Sequence, residues 1–271
     1  MSANCTEDSR EYLEGPSACM PSTKVLHSIK RQIRKSKALS RGDVRIATAM
    51  GLVAADTLRP FGYNDGAFYP LDQPQAMPKG PSLTPSERVA VASTTKTLHA
   101  LALLVDFADN VGNKPASHFQ NLLFNAANPN SMASYYQLIS RGKLKVTGSA
   151  IGYVRAPHPY SYYTNGQSGT GETSFPRNTP GLLRDALTIF SATNNLGNFD
   201  TDGDGFVDGI FLIHAGGGAE AEADPQKRKN MIWSHKWVLP QPFVHNGVKV
   251  YAYSTEPEDG RVGVFAHEFG H

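Results

Sequence analysis

The sequence is short of cysteine, of charge and of long apolar runs. Only two cysteines, Cys5 and Cys19, occur among its 271 residues. Two thiols near one end cannot build a cysteine-type zinc site or a disulfide scaffold. A bridge closing a short N-terminal loop and two free thiols both fit their spacing. Charged residues make up 18% of the chain and the formal net charge is +2, so nothing in the totals argues for a nucleic-acid partner. No apolar stretch reaches the ~18 residues of a membrane span, and the N-terminus has no apolar signal-peptide core. No internal repeat is found. Gly216-Gly217-Gly218 lacks the spacing of a phosphate loop or a dinucleotide fingerprint, and no serine-hydrolase elbow occurs.

What is there describes a globular, loop-rich chain: 40% hydrophobic residues, 25 glycines and 18 prolines. Residues 24–40 place Leu26, Ile29, Ile33 and Leu39 near helical spacing, with Lys30, Arg31, Arg34, Lys35 and Lys37 on the other faces. That is an amphipathic surface helix. An Arg41-Gly42-Asp43 triplet follows, of a kind that arises often by chance, and residues 56–92 read as an extended Pro/Gly-rich linker. Residues 1–95 are therefore expected to be an N-terminal pro-region and linker, partly disordered, and 96–271 a folded domain.

The composition changes at the apolar run of residues 97–107, TLHALALLVDF, which reads as a buried strand. Helices are expected at 118–124, at 131–141 with Ser131 as N-cap and Gly142 as stop, and at 181–193. Strands are expected at 143–153, 209–214, 231–237 and 247–254, with a long surface loop over 155–180. This order predicts an α/β (α+β) domain, a mixed sheet with flanking helices. His214 and His235 read as core histidines with satisfied rings.

Residues 200–209 read DTDGDGFVDG. Carboxylates at loop positions 1, 3 and 5 (Asp200, Asp202, Asp204), a glycine at 6 (Gly205), a backbone carbonyl at 7 (Phe206) and a carboxylate at 9 (Asp208) follow the ligand order of a calcium loop. Position 12 is Phe211 where a full EF-hand loop carries Glu, so the expected role is structural. The chain then ends on His267-Glu268-Phe269-Gly270-His271. On a helix, residues four apart share a face, and two imidazoles placed there can hold Zn²⁺. Glu268, one step along, is placed to act on a water as general base. Asp259 is a candidate N-cap, and Gly270 suggests close packing.

ALALLVDFADN, SMASYYQLISRGKLKVTG, DTDGDGFVDGIFLIHAGGGAE, IWSHKW and GVFAHEFGH, in that order, resemble the immune inhibitor A family of secreted bacterial metallopeptidases. The resemblance covers about Leu98 to His271. It implies a metzincin-like catalytic domain, a zinc-dependent endopeptidase acting on protein or peptide substrates, bound Ca²⁺, an N-terminal pro-region and a secreted protein, expected to be monomeric. His267 and His271 carry over as zinc ligands and Glu268 as the catalytic acid/base. The family's third ligand lies beyond the motif, so the 271-residue chain alone is expected to bind zinc weakly and to be nearly inactive. The strand before the motif, KVYAYS, is a candidate to pair with an extended substrate. The competing reading is a calcium-stabilised secreted binding or adhesion module whose motif is inert.

Overall fold

The apolar run at the start of the domain becomes the spine of a mixed sheet. The computed structural model describes residues 17–18, 23–35, 95–171 and 173–271. Cys5, Cys19, the Arg41-Gly42-Asp43 triplet and the linker at 56–92 lie outside the described residues. Strand β1 is Ser17–Ala18, helix α1 is Thr23–Arg34 and β2 is Lys96–Asp106. Then come α2 (Ala116–Phe119, continued by a π turn over Gln120–Phe124), α3 (Met132–Ile139), β3 (Leu144–Arg155), α4 (Tyr160–Thr164) and α5 (Thr179–Ser191). The C-terminal part holds β4 (Ile210–His214), α6 (Pro225–Arg228), β5 (His235–His245), β6 (Val248–Pro257) and α7 (Val262–Gly270). The sheet order is β1-β5-β6-β4-β2-β3. Strands β3, β2, β4 and β6 are parallel, while β5 and β1 are antiparallel additions.

Strand β2 is apolar from Ala100 to Val105 because both of its faces are covered there. Leu101, Leu103 and Val105 join one core with Leu182, Leu183, Ala186, Leu187 and Phe190 of α5. Ala100, Ala102 and Leu104 join the other with Phe119, Leu123, Met132 and Phe265. Strand β4 (IFLIH) is buried at every position for the same reason.

The helix ends are set locally. Ser131 Oγ accepts from Ser134 N at 3.1 Å, as its position before α3 predicts. Asn178 caps α5 by accepting from Gly181 N at 3.1 Å. In α1, Ile29 is buried while Lys24, Lys30 and Arg31 are exposed, so its described positions are amphipathic.

Three expectations are corrected. Residues 155–180 are not a surface loop: they contain α4, and Tyr163 is fully buried, donating to Asp185 Oδ2 at 2.8 Å. Aromatic side chains bring enough apolar area to fold this segment onto the core. Strand β5 begins at His235 rather than at residue 231, because the preceding backbone bonds elsewhere. Ile232 N donates to the Tyr160 hydroxyl at 2.8 Å and Trp233 N to Ser168 O at 3.1 Å. β5 then runs past Pro240 and Pro242 with a register shift, to a tight turn at Asn246-Gly247, both with positive φ (51° and 85°). Finally, β6 is interior, flanked by β5 and β4, so KVYAYS offers no open edge for a substrate. On that side the end strand is the two-residue β1, which pairs with β5 at His235 and Lys236.

Gly181 sits where a Cβ would collide with the Pro176 carbonyl oxygen. Gly181→Ala is expected to lower stability by about 1–3 kcal/mol, read as a lower denaturant midpoint at unchanged slope.

Candidate metal centre

Helix α7 follows β6 after a short turn and carries the terminal motif. Its N-cap is Arg261, with no side-chain cap bond, so Asp259 is not the cap. The anchor at this junction is Glu258, which motif reading missed. Its carboxylate is 3% exposed yet accepts from Asn113 N (2.9 Å), Asn113 Nδ2 (3.2 Å), Lys114 N (3.3 Å), Gly216 N (2.9 Å) and the Tyr153 hydroxyl (3.0 Å). Burial alone would raise its pKa, but the surrounding donors outweigh burial and hold it below the ordinary glutamate value. Nothing local in the sequence marks this role, because its partners lie 42 to 145 residues away.

Phe265 and Phe269 seat α7 on the sheet. Phe269 stacks on Phe211 with ring centroids 5.3 Å apart, and Phe265 packs on Phe119 at 6.3 Å. The Tyr136 hydroxyl of α3 donates to Ala266 O at 2.6 Å. Gly270 is needed for this approach, since a Cβ there would stand 3.0 Å from the Tyr136 hydroxyl oxygen.

With that face buried, His267 and His271 turn outward together. Their Nε2 atoms are 3.0 Å apart and their rings nearly perpendicular, at 89°. Tetrahedral Zn–N bonds of ~2.0–2.1 Å set two nitrogens ~3.3 Å apart, so the pair fits a shared zinc ion with a small opening. Ligand atoms of His267, Glu268 and His271 lie within 4.8 Å of one another. Among the described residues, no further ligand side chain joins this group.

Glu268 is fully buried, and neither carboxylate oxygen has a hydrogen-bond partner among the described residues. Its pKa is raised well above the ordinary value, first by burial, then by the Glu256 and Glu220 carboxylates, with Lys236 opposing. Glu256 is also buried without a partner for either oxygen and raised by burial. Lys236 is pushed down by burial while Glu256 and Glu268 pull it back up. Glu220 is held by Ser234 Oγ (2.6 Å) and N (3.2 Å).

The acidic loop gathers part of its expected set. Ligand atoms of Asp200, Asp202 and Asp208 lie within 4.8 Å of one another. Gly203 and Gly205 take positive φ, 73° and 85°, and donate their N–H groups to Asp200. Asp208 accepts from Thr201 and, at 2.7 Å, from His99 N of β2. Asp204 faces Phe206 N at 2.8 Å and does not join the trio. Phe206 bridges to Lys249 at the start of β6, with a buried ring beneath the Lys249 ammonium.

His214 and His235 are both buried, and burial lowers each pKa to about 4. His235 bonds Trp233 O and the Tyr253 hydroxyl. His214 uses Nδ1 on Ala215 O, leaving Nε2 without a partner among the described residues.

A family model described as "Immune inhibitor A peptidase M6, catalytic domain" matches residues 87–271. Immune inhibitor A of Bacillus thuringiensis subsp. alesti is 26% identical over 235 residues, covering 69% of this chain and 34% of that protein. The pre-pro-metalloprotease PrtV of Vibrio cholerae serotype O1 is 30% identical over 227 residues, covering 65% of this chain and 24% of that protein. The chain thus spans about a third or less of the length of these curated relatives. No helix among the described residues is long and apolar enough to cross a membrane.

Glu258 has a lowered folded-state pKa, so its ionised form stabilises the fold above the unfolded glutamate value, ~4.3. That contribution is lost as pH falls through the folded pKa. The stability gap between the protein and Glu258→Gln is expected to be constant near neutrality and to shrink below pH ~4.3. Urea unfolding across pH 3 to 7 measures it, and a gap independent of pH would contradict the assignment.

Proposed function

The chain belongs to the immune inhibitor A peptidase M6 family, and from that premise we propose that it carries the water-activating part of a zinc endopeptidase site. The observation that carries this reading is the pair of imidazole Nε2 atoms 3.0 Å apart beside a buried glutamate. His267 and His271 hold the metal. When bound, Zn²⁺ supplies Lewis acidity that polarises the scissile carbonyl and lowers the pKa of water toward ~7. Glu268 takes the proton of the attacking water and returns it to the leaving amine. Burial and the neighbouring Glu256 and Glu220 carboxylates raise its pKa above the ordinary glutamate value, which makes it a stronger base toward water than an exposed glutamate. An extended substrate would add antiparallel to β5, as β1 does at His235 and Lys236. Protein or peptide substrates, secretion, a monomeric state and a pro-region over residues 1–95 belong to the same reading. The pro-region is in keeping with the "pre-pro" name of the Vibrio relative.

The acidic loop is read as a calcium site. Asp200, Asp202 and Asp208 supply converging carboxylates. Asp204, which here accepts from Phe206 N instead of joining them, and the Phe206 carbonyl are the further oxygens that the loop order offers to Ca²⁺. The ion's role is structural, offsetting repulsion among four aspartates in the connection that feeds β4.

Two outcomes test this. In the complete gene product, Glu268→Ala is expected to lose about 10²–10⁴-fold of casein cleavage while retaining bound zinc; equal activity would sink the role of Glu268. Asp202→Ala is expected to melt below the unaltered protein in excess Ca²⁺ and level with it in chelator. The gap is ~2.7 kcal/mol when Ca²⁺ is a hundredfold above Kd.

A further inference from the structure

The two ends of the mixed sheet differ. At one end β1 pairs with β5. At the other, β3 pairs with β2, and among the described residues no strand lies on its outer side. β3 is 12 residues long and half-buried over most of its length. A long free edge presents backbone N–H and C=O groups in a row and is a template for another chain.

The ends of this edge carry charge. Lys143 and Lys145 stand at its start and Arg155 at its finish, all exposed. At the start, Leu144 N also donates to Ser140 Oγ at 2.9 Å. Between them, Gly148-Ser149-Ala150-Ile151-Gly152 is uncharged and mostly small. An approaching strand would meet neither charge nor bulk there.

Gln120 covers that stretch. Its side-chain Nε2 donates to Gly148 O at 3.0 Å, and its Oε1 accepts from Ala150 N at 2.9 Å. The partners fix the orientation of the amide, because a backbone carbonyl accepts and a backbone N–H donates. A neighbouring strand would bond the same two atoms with its own N–H and C=O. Gln120 opens the π turn of α2, whose Leu123 and Phe124 are buried. Phe124 packs so closely on β3 that a Cβ at Gly148 would stand 2.5 Å from its ring. The amide thus projects from a base fixed to the sheet. Gln120 is exposed, and exposed hydrogen bonds add little net stability against the rotamer entropy of a held glutamine. The effect of the two bonds is to occupy the backbone atoms.

We infer that Gln120 is a strand mimic that closes the free edge of the sheet and keeps a second copy of this chain from pairing β3 to β3. A second copy is the partner because identical edges meet about a two-fold axis, each offering the same segment to the other. The charged ends confine such pairing to the central stretch, which is the part that Gln120 covers.

The test uses the complete gene product. Sedimentation velocity over a wide range of concentration compares the unaltered protein with Gln120→Ala and Gln120→Lys. Both substitutions remove the two bonds, but lysine puts a charge on the bare edge. Gln120→Ala is expected to show a faster, concentration-dependent boundary that the unaltered protein and Gln120→Lys lack. Hydrogen exchange at the Ala150 amide reads the edge directly. In Gln120→Lys it is expected to rise about tenfold, the change that loss of one hydrogen bond gives. In Gln120→Ala it is expected to rise in dilute solution and to fall again as the copies pair. Cooperative unfolding of all three shows that the variants fold. Gln120→Ala that sediments like the unaltered protein overturns the inference. Equal association of both variants overturns it too, since charge on the edge then makes no difference. Unchanged exchange at Ala150 in Gln120→Lys removes the mimic itself.

Discussion

The stacking of Phe269 on Phe211, 5.3 Å between ring centroids, fixes the rotation of α7, and the candidate centre depends on that rotation. Phe265 and Phe269 are four residues apart and share the buried stripe. His267 lies two residues from each, about 200° round the helix axis, and His271 lies one turn beyond His267. Burying the phenylalanines therefore turns both imidazoles away from the sheet. Glu268, one residue before Phe269, falls between these directions and is buried toward the end of the sheet that carries Lys236 and Glu256. One packing contact thus sorts three neighbouring residues into apolar anchor, buried acid and outward ligand.

Two glutamates at this end of the sheet show that depth alone does not set ionisation. Glu258 and Glu268 are both buried. Glu258 meets donors from three separate segments and keeps a lowered pKa. Glu268 faces two further carboxylates with Lys236 alone opposing them, and is raised. The physical difference is the supply of donors to the charged form. A structural anchor benefits from full satisfaction, because an ionised, fully bonded carboxylate ties distant strands together. A group that must exchange a proton cannot be satisfied in that way.

Much of this was legible in the sequence, and the reasons are specific. The β2 run and IFLIH announce strands covered on both faces. Ser131 announces a helix start. The terminal motif needs only helical periodicity to bring His267 and His271 together. The strand expected at 231–237 stops short of Pro240 and Pro242, whereas β5 runs past both where a register shift falls. Asn246-Gly247 is a hairpin signal that would have placed the turn. Residues 155–180 read as loop because turn residues outnumber periodic ones, yet Tyr160 and Tyr163 supply the burial. Glu258 was illegible for a different reason: its partners at Asn113, Lys114, Tyr153 and Gly216 are neighbours only once the sheet has formed.

The acidic loop and the terminal helix are far apart in sequence but mechanically joined. Asp208 accepts from His99 N, and Gly209 O accepts from Leu101 N at 2.9 Å, so the end of the loop is stapled to β2. Val207 N donates to Lys249 O, stapling it also to β6, the strand that leads into α7. Gly209 lies so close to α7 that a Cβ there would stand 3.0 Å from the Phe269 ring. The loop thus ends against the aromatic contact that sets the rotation of α7. Four aspartates in ten residues repel one another, and relaxing that repulsion by opening the loop would move Gly209 and loosen the seat of Phe269. A cation held by Asp200, Asp202 and Asp208 would remove that drive. Its influence on the histidine pair would pass through the position of one phenylalanine ring, with no direct contact between the two sites.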